Sequence, residues 1–253
     1  MVKLCKTLFA ITLLLTTSLT LAGTIPNFTA TYDVTKAGIA LGEMKSVYRI
    51  GIDNNYSYSS ITKPTGIASW FSSETITEIS EGKINNNQHI PETYTYERKG
   101  GDKQQSTNIT FDHSNKTAKD ISNNKTINLQ IDSSITDRQI VQVLLMDDML
   151  SGKTELIYQV INKQKIKPYS FKILPEETIE TTLGTFKTTP VVRKREGSSR
   201  ETTLWLAHDL FYLPVKIKQT KDGSSKFEME IIKLSGIDLP ENIDNKPPIE
   251  PSI

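Results

Sequence analysis

The sequence predicts a mainly β protein: a large curved antiparallel meander sheet, an unclosed or partly closed barrel, with one main α-helix packed on it. Three observations carry this. Apolar and polar residues alternate with period 2 over most of the chain. Turn-forming clusters recur roughly every dozen residues. One segment, residues 136–150, breaks the rhythm with helical spacing.

The first 22 residues stand apart from the rest. Lys3 and Lys6 precede an apolar run from Leu8 to Leu19, and Thr20-Leu21-Ala22 places small residues just before Gly23. This is the build of a cleavable secretory signal, with cleavage expected between Ala22 and Gly23. The run is short for a membrane span, which needs about 20 apolar residues. The chain is therefore expected not to be an integral membrane protein after cleavage. Cys5, the only cysteine, precedes the apolar run, so it is not placed as a lipidation site. The mature chain then has no disulfide, no thiolate metal ligand and no cysteine nucleophile. Export without cysteine points to the periplasm of a Gram-negative bacterium.

The strands follow in order. Phe28, Ala30, Tyr32 and Val34 share one face, as do Met44, Ser46, Tyr48 and Ile50, and then Tyr56, Tyr58 and Ser60. Thr75–Ile79, Thr93–Tyr96 and Thr107–Phe111 continue the pattern with β-branched and aromatic residues. Gly51 to Asn55, Lys99 to Asp102, Asp112 to Asn115 and Ser122 to Asn124 supply the turns. In the helical segment Thr136 and Gln139 form a capping-box pattern, and Asp137 suits the positive helix end. Ile140, Val143 and Leu144 share a face that Val141, Leu145 and Met149 widen, and Gly152 is a helix stop. Strands resume over 154–160, 169–174, 178–182, 186–195, 202–207, 213–219 and 226–234. Residues 23–237 read as a single domain. Residues 238–253, with Pro240, Pro247, Pro248 and Pro251, read as a tail that cannot build a core.

Function is less legible. The 30 basic residues face 29 acidic ones, and no basic stripe with interleaved aromatics appears. Nucleic-acid binding is not expected, nor simple electrostatic docking on anionic lipid. No G-x-S-x-G elbow, P-loop or G-x-G-x-x-G is present. His89, His113 and His208 are far apart, with no second ligand at metal-binding spacing. The expectation is no enzyme activity, no catalytic residue, no metal and no cofactor. Pro64 to Phe71 is an apolar loop where a turn was due. An apolar groove between sheet and helix would be lined by Trp70, Phe71, Ile140, Val143, Leu144 and Trp205.

Several segments taken in order resemble the bacterial family called domain of unknown function 3108. They are Tyr32 with Gly38 to Gly42, Ile90 to Gly100, Ile109 to Asp112, Asp137-Arg138, Leu183 to Phe186, Leu204 to Leu206, and Leu213 to Ile217. The resemblance covers roughly residues 27–236. It implies an exported envelope protein, mostly β, and carries no catalytic residues. A looser likeness is to periplasmic lipoprotein carriers of the LolA/LolB type, whose unclosed barrel holds helices in its concavity. The resulting expectation is a non-enzymatic module with a hydrophobic ligand (a lipid, acyl chain or lipoprotein). The alternatives are a structural or interaction protein of the envelope with a filled core and, third, an envelope hydrolase.

Overall fold

The computed structural model describes residues 24–240 apart from residue 196; the segment 1–22, expected to be a signal, and the tail beyond residue 240 lie outside the described residues. Strands dominate. They are β1 Phe28–Lys36, β2 Ile39–Ile50, β3 Asn55–Lys63, β4 Thr75–Asn85, β5 Gln88–Lys99, β6 Gln105–Asp112, β7 Thr117–Ser122, β8 Lys125–Gln130 and β9 Ile135–Asp137. After the main helix come β10 Leu156–Ile161, β11 Ile166–Ile173, β12 Glu177–Thr181, β13 Gly184–Lys194, β14 Arg200–Ala207, β15 Leu213–Lys221 and β16 Ser224–Ser235. A four-residue helix α1, Ala68–Phe71, sits between β3 and β4, and the main helix α2 spans Val141–Leu150.

All sixteen strands form one sheet, in the order β8-β7-β6-β5-β4-β3-β2-β1-β16-β15-β14-β13-β11-β10-β9, with β12 paired to β13. Every pairing is antiparallel except β9 with β10. The chain runs as a meander from β1 to β8, crosses over, and returns from β10 to close on β1 through β16. The two ends of the sheet meet by side chains. Tyr94, Ile109 and Phe111 of β5 and β6 pack with Ile135 of β9 and Ile161 of β10. The β10–β11 turn adds two hydrogen bonds, Gln164 N–H to buried Asp120 at 3.1 Å and the Gln164 amide to the Lys125 carbonyl at 2.7 Å. The barrel is unclosed in its ladder and sealed across that seam.

Helix α2 lies within the concave face. Ile140, Val143 and Met146 join Phe28, Tyr48 and Tyr58 on one wall and Leu213 and Val215 on the other. Val141, Leu145 and Met149 join Leu156, Val160, Val191, Leu204 and Leu206. Contact on all sides explains why the helix is apolar nearly all round rather than along one stripe. It stops at Gly152, whose φ of 73° only glycine adopts readily.

The helix is shorter than the expected 136–150. Residues 135–137 extend beside β10 in parallel pairing, so they cannot begin the helix. The capping-box pattern is therefore not used, and Thr136 Oγ1 is buried without a partner. Asp137 holds the helix start instead. Its Oδ1 accepts from the Gln139 and Ile140 N–H groups at 2.8 and 3.1 Å, and its Oδ2 accepts from Ser80 at 2.6 Å. Strands β7 and β8 fall where the sequence showed no alternation. β8 is an edge strand, exposed along nearly its whole length, so no face of it had to be apolar. The Asn123-Asn124 turn joining them has positive φ at both residues, as a two-residue hairpin requires.

Leu145 is fully buried among residues of four strands. Leu145→Ala is expected to lower unfolding free energy by about 2–5 kcal/mol, read from urea denaturation, because the rigid walls around α2 cannot collapse onto the void.

Candidate functional site

The inner face of each strand divides into two halves. On β1, Phe28, Ala30 and Tyr32 are packed in the core, and Val34 faces open space. On β3, Tyr56 and Tyr58 are packed, whereas Ser60 and Thr62 are open. On β16, Ile231 is packed, Met229 packs against the core from the cavity floor, and Phe227 is open. The period-2 alternation keeps these residues on one side of the sheet throughout. One end of the barrel is thus filled by α2. The other holds a cavity of about 1220 Å³ open to solvent.

A polar belt separates the two. β4 offers Ser80 to Asp137 and, one step along the same face, Glu78 to Arg138. Arg138 Nη2 lies 2.5 Å from Glu78 Oε1, and Tyr94 donates its hydroxyl to Glu78 Oε2 at 2.8 Å. The Arg138 guanidinium also sits 5.0 Å from the Tyr96 ring centre. Ser60 donates to Gln139 at 3.4 Å to complete the belt. Asp137 faces the filled side, and burial pushes its carboxyl up to about 6 against the opposing effect of its hydrogen bonds. Arg138 faces the cavity and forms part of its floor.

Above this floor the walls are mixed. Leu41, Met44, Ile76, Ile166, Phe227 and Met229 are apolar, with Tyr96 and Tyr169 between them. Among the described residues, ten basic side chains also line the space, against two carboxylates. Arg98 reaches Glu74 through Nε and Nη2 at 2.8 and 2.6 Å. Lys194 reaches Glu201 at 2.9 Å. Arg193 stacks on Tyr169, 3.8 Å from its centre. Lys63, Lys163, Lys167, Arg195, Arg200 and Lys226 complete the set.

None of the six residues expected to line a groove lies on this cavity. Ile140 and Val143 are fully buried in the packed end, and Leu144 is packed between both core clusters. Trp205 faces away from Leu204 and Leu206, and its indole N–H donates to Glu177 at 2.5 Å. Trp70 and Phe71 are 81% and 85% exposed, beside Ile67 at 70%. They stand on α1 at the rim, where their neighbours Ala68 and Ser72 line the opening. The helix fills the space beside itself too well to leave a groove. The open space lies beyond its N-terminus.

The histidines lie outside the cavity. His89 is enclosed at the packed end, with Nε2 2.7 Å from the Tyr48 hydroxyl and Nδ1 3.4 Å from Asp147. Burial lowers its pKa to about 4. Burial, with Asp148 adding to it, pushes Asp147 up to about 7. His208 meets Thr189 at 2.8 Å. Among the described residues no group of three or more His, Cys, Asp or Glu is placed to hold a metal ion, and no helix is long and apolar enough to cross a membrane.

The belt makes a measurable prediction. Glu78→Ala leaves Arg138 and Tyr94 without their acceptor, so unfolding free energy should fall by about 1.5–3 kcal/mol in chemical denaturation. Lys194→Ala, which breaks an exposed pair, should cost less than about 1 kcal/mol in the same assay.

Comparison with known proteins fits this architecture. A solved structure from Brucella abortus, described as a β-barrel-like protein of domain of unknown function DUF1849, is similar with a TM-score of 0.56 at 9% identity. The match covers 85% of this chain and 99% of that one, and shows a shared fold. The MucA/MucB complex of Pseudomonas aeruginosa overlaps more loosely, with a TM-score of 0.37 at 10% identity, over 87% of this chain and 55% of that one. No curated protein matches the chain. The family model described as protein of unknown function, DUF3108, matches residues 27–230, nearly the whole described chain, and the protein belongs to that family.

Proposed function

We propose that this protein is an exported module of the periplasm that binds an amphipathic or hydrophobic molecule, a lipid or acyl chain, in the open end of its barrel. The observation that carries this reading is the cavity of about 1220 Å³ with apolar side chains on its walls. Its size suits a lipid-sized ligand, since pockets for small molecules span about 300–1,000 Å³. The signal-like segment before Gly23 supports export.

The same geometry favours binding over chemistry. Both cavity carboxylates are held by arginines, Glu74 by Arg98 and Glu78 by Arg138. A carboxylate already engaged by a guanidinium must break that pair before it can reach a substrate. A second reading, a surface for an envelope protein, is favoured by the exposed Ile67, Trp70 and Phe71 at the rim.

Native mass spectrometry of gently purified protein should show a co-purified amphiphile, and N-phenyl-1-naphthylamine should fluoresce on binding. Thr62→Trp, which places an indole in the cavity, should weaken dye binding at least about tenfold with little change in unfolding midpoint. A wild-type protein that carries no amphiphile and binds no dye would contradict the reading.

A further inference from the structure

Charge is gathered on the cavity in a way the whole chain does not foretell. The chain balances 30 basic residues against 29 acidic ones. Among the described residues the cavity carries ten against two, and both of those carboxylates are already occupied by Arg98 and Arg138. Like charges crowded around a partly enclosed space repel, and an anion placed among them is attracted by all.

Arg193 is the residue best prepared for one. It follows buried Val191 by one step on the inner face of β13, and its guanidinium is held over Tyr169 at 3.8 Å. Among the described residues it makes no ion pair, and neither do Lys63, Lys167 or Lys226 on the surrounding walls. A guanidinium stacked by its flat face keeps its in-plane N–H fork available, and that fork matches the paired oxygens of phosphate or carboxylate. Apolar side chains, Met44 and Met229 among them, line the same space.

We propose that the cavity takes an amphiphile with an anionic head, a phosphate or carboxylate, gripped by Arg193, with its apolar part against Met44 and Met229. This rests on the binding reading above and adds the class of ligand.

Competition against bound N-phenyl-1-naphthylamine by palmitoyl lysophosphatidate, palmitate and monopalmitoylglycerol, which share one acyl chain, tests it on the full chain. At least one anion should compete about tenfold better than the neutral glyceride, and high salt should shrink the gap. Preference for lysophosphatidate alone assigns a phosphate head; equal preference for palmitate means that a carboxylate suffices. Arg193→Gln should lower anion affinity about tenfold, leaving glyceride affinity and the unfolding midpoint unchanged. Equal competition by all three ligands, or an equal loss for all three in Arg193→Gln, would overturn the anionic head while leaving the binding reading intact. Inorganic phosphate binding as tightly as lysophosphatidate would overturn the amphiphile. Absence of binding by every amphiphile would overturn both.

Discussion

The interior of this protein is organised by a polar belt at residues 137–139. Ten residues of helix extend about 15 Å, while strands of nine to twelve residues extend about 30–40 Å. One helix therefore cannot fill the space the sheet encloses. The belt decides where the filled part ends. Asp137 binds the helix start to Ser80, and Arg138 binds Glu78 one step further along the same strand. A buried carboxylate is tolerable there because three donors reach it.

Other features follow from that division. Below the belt, aromatic residues of β1 to β3 pack against the helix and against one another, Phe28 and Tyr48 with ring centres 5.7 Å apart. Above it, the same strand faces carry Thr62, Glu74, Arg98 and Arg193, which need water, a salt partner or a ligand. The rim is different again, with the aromatic side chains of Trp70 and Phe71 largely exposed. Filled core, charged cavity and apolar rim are arranged in sequence along one barrel.

Much of the fold was legible from alternation alone. Phe28, Ala30, Tyr32 and Val34 share a face as read, and the strands after the helix fall close to their expected places. β8 was not legible, because a polar strand at a sheet edge has no buried face to betray it, and β7 was not because its buried face is Ala118 and the charged Asp120. The helix was expected to start too early because Thr136, Asp137 and Gln139 look like a cap in isolation, and only the pairing with β10 shows otherwise. The cavity was missed for a related reason. Alternation from buried Tyr94 does place Tyr96 and Arg98 on the inner face, but charged residues on a strand read as solvated when the space they face is not yet known. The balanced net charge hid their clustering. Asp137-Arg138 was noticed as part of a family pattern, and the belt supplies its physical role.

One end of the interior is packed and the other is open. Cys5 is the only cysteine in the sequence, so a thiol introduced elsewhere in a Cys5→Ser background reports alone. Maleimide labelling of the folded protein should be fast for Thr62→Cys and slow for Met146→Cys, the latter reacting only at the rate of unfolding. Equal protection of both positions, or equal reactivity at both, would contradict the account.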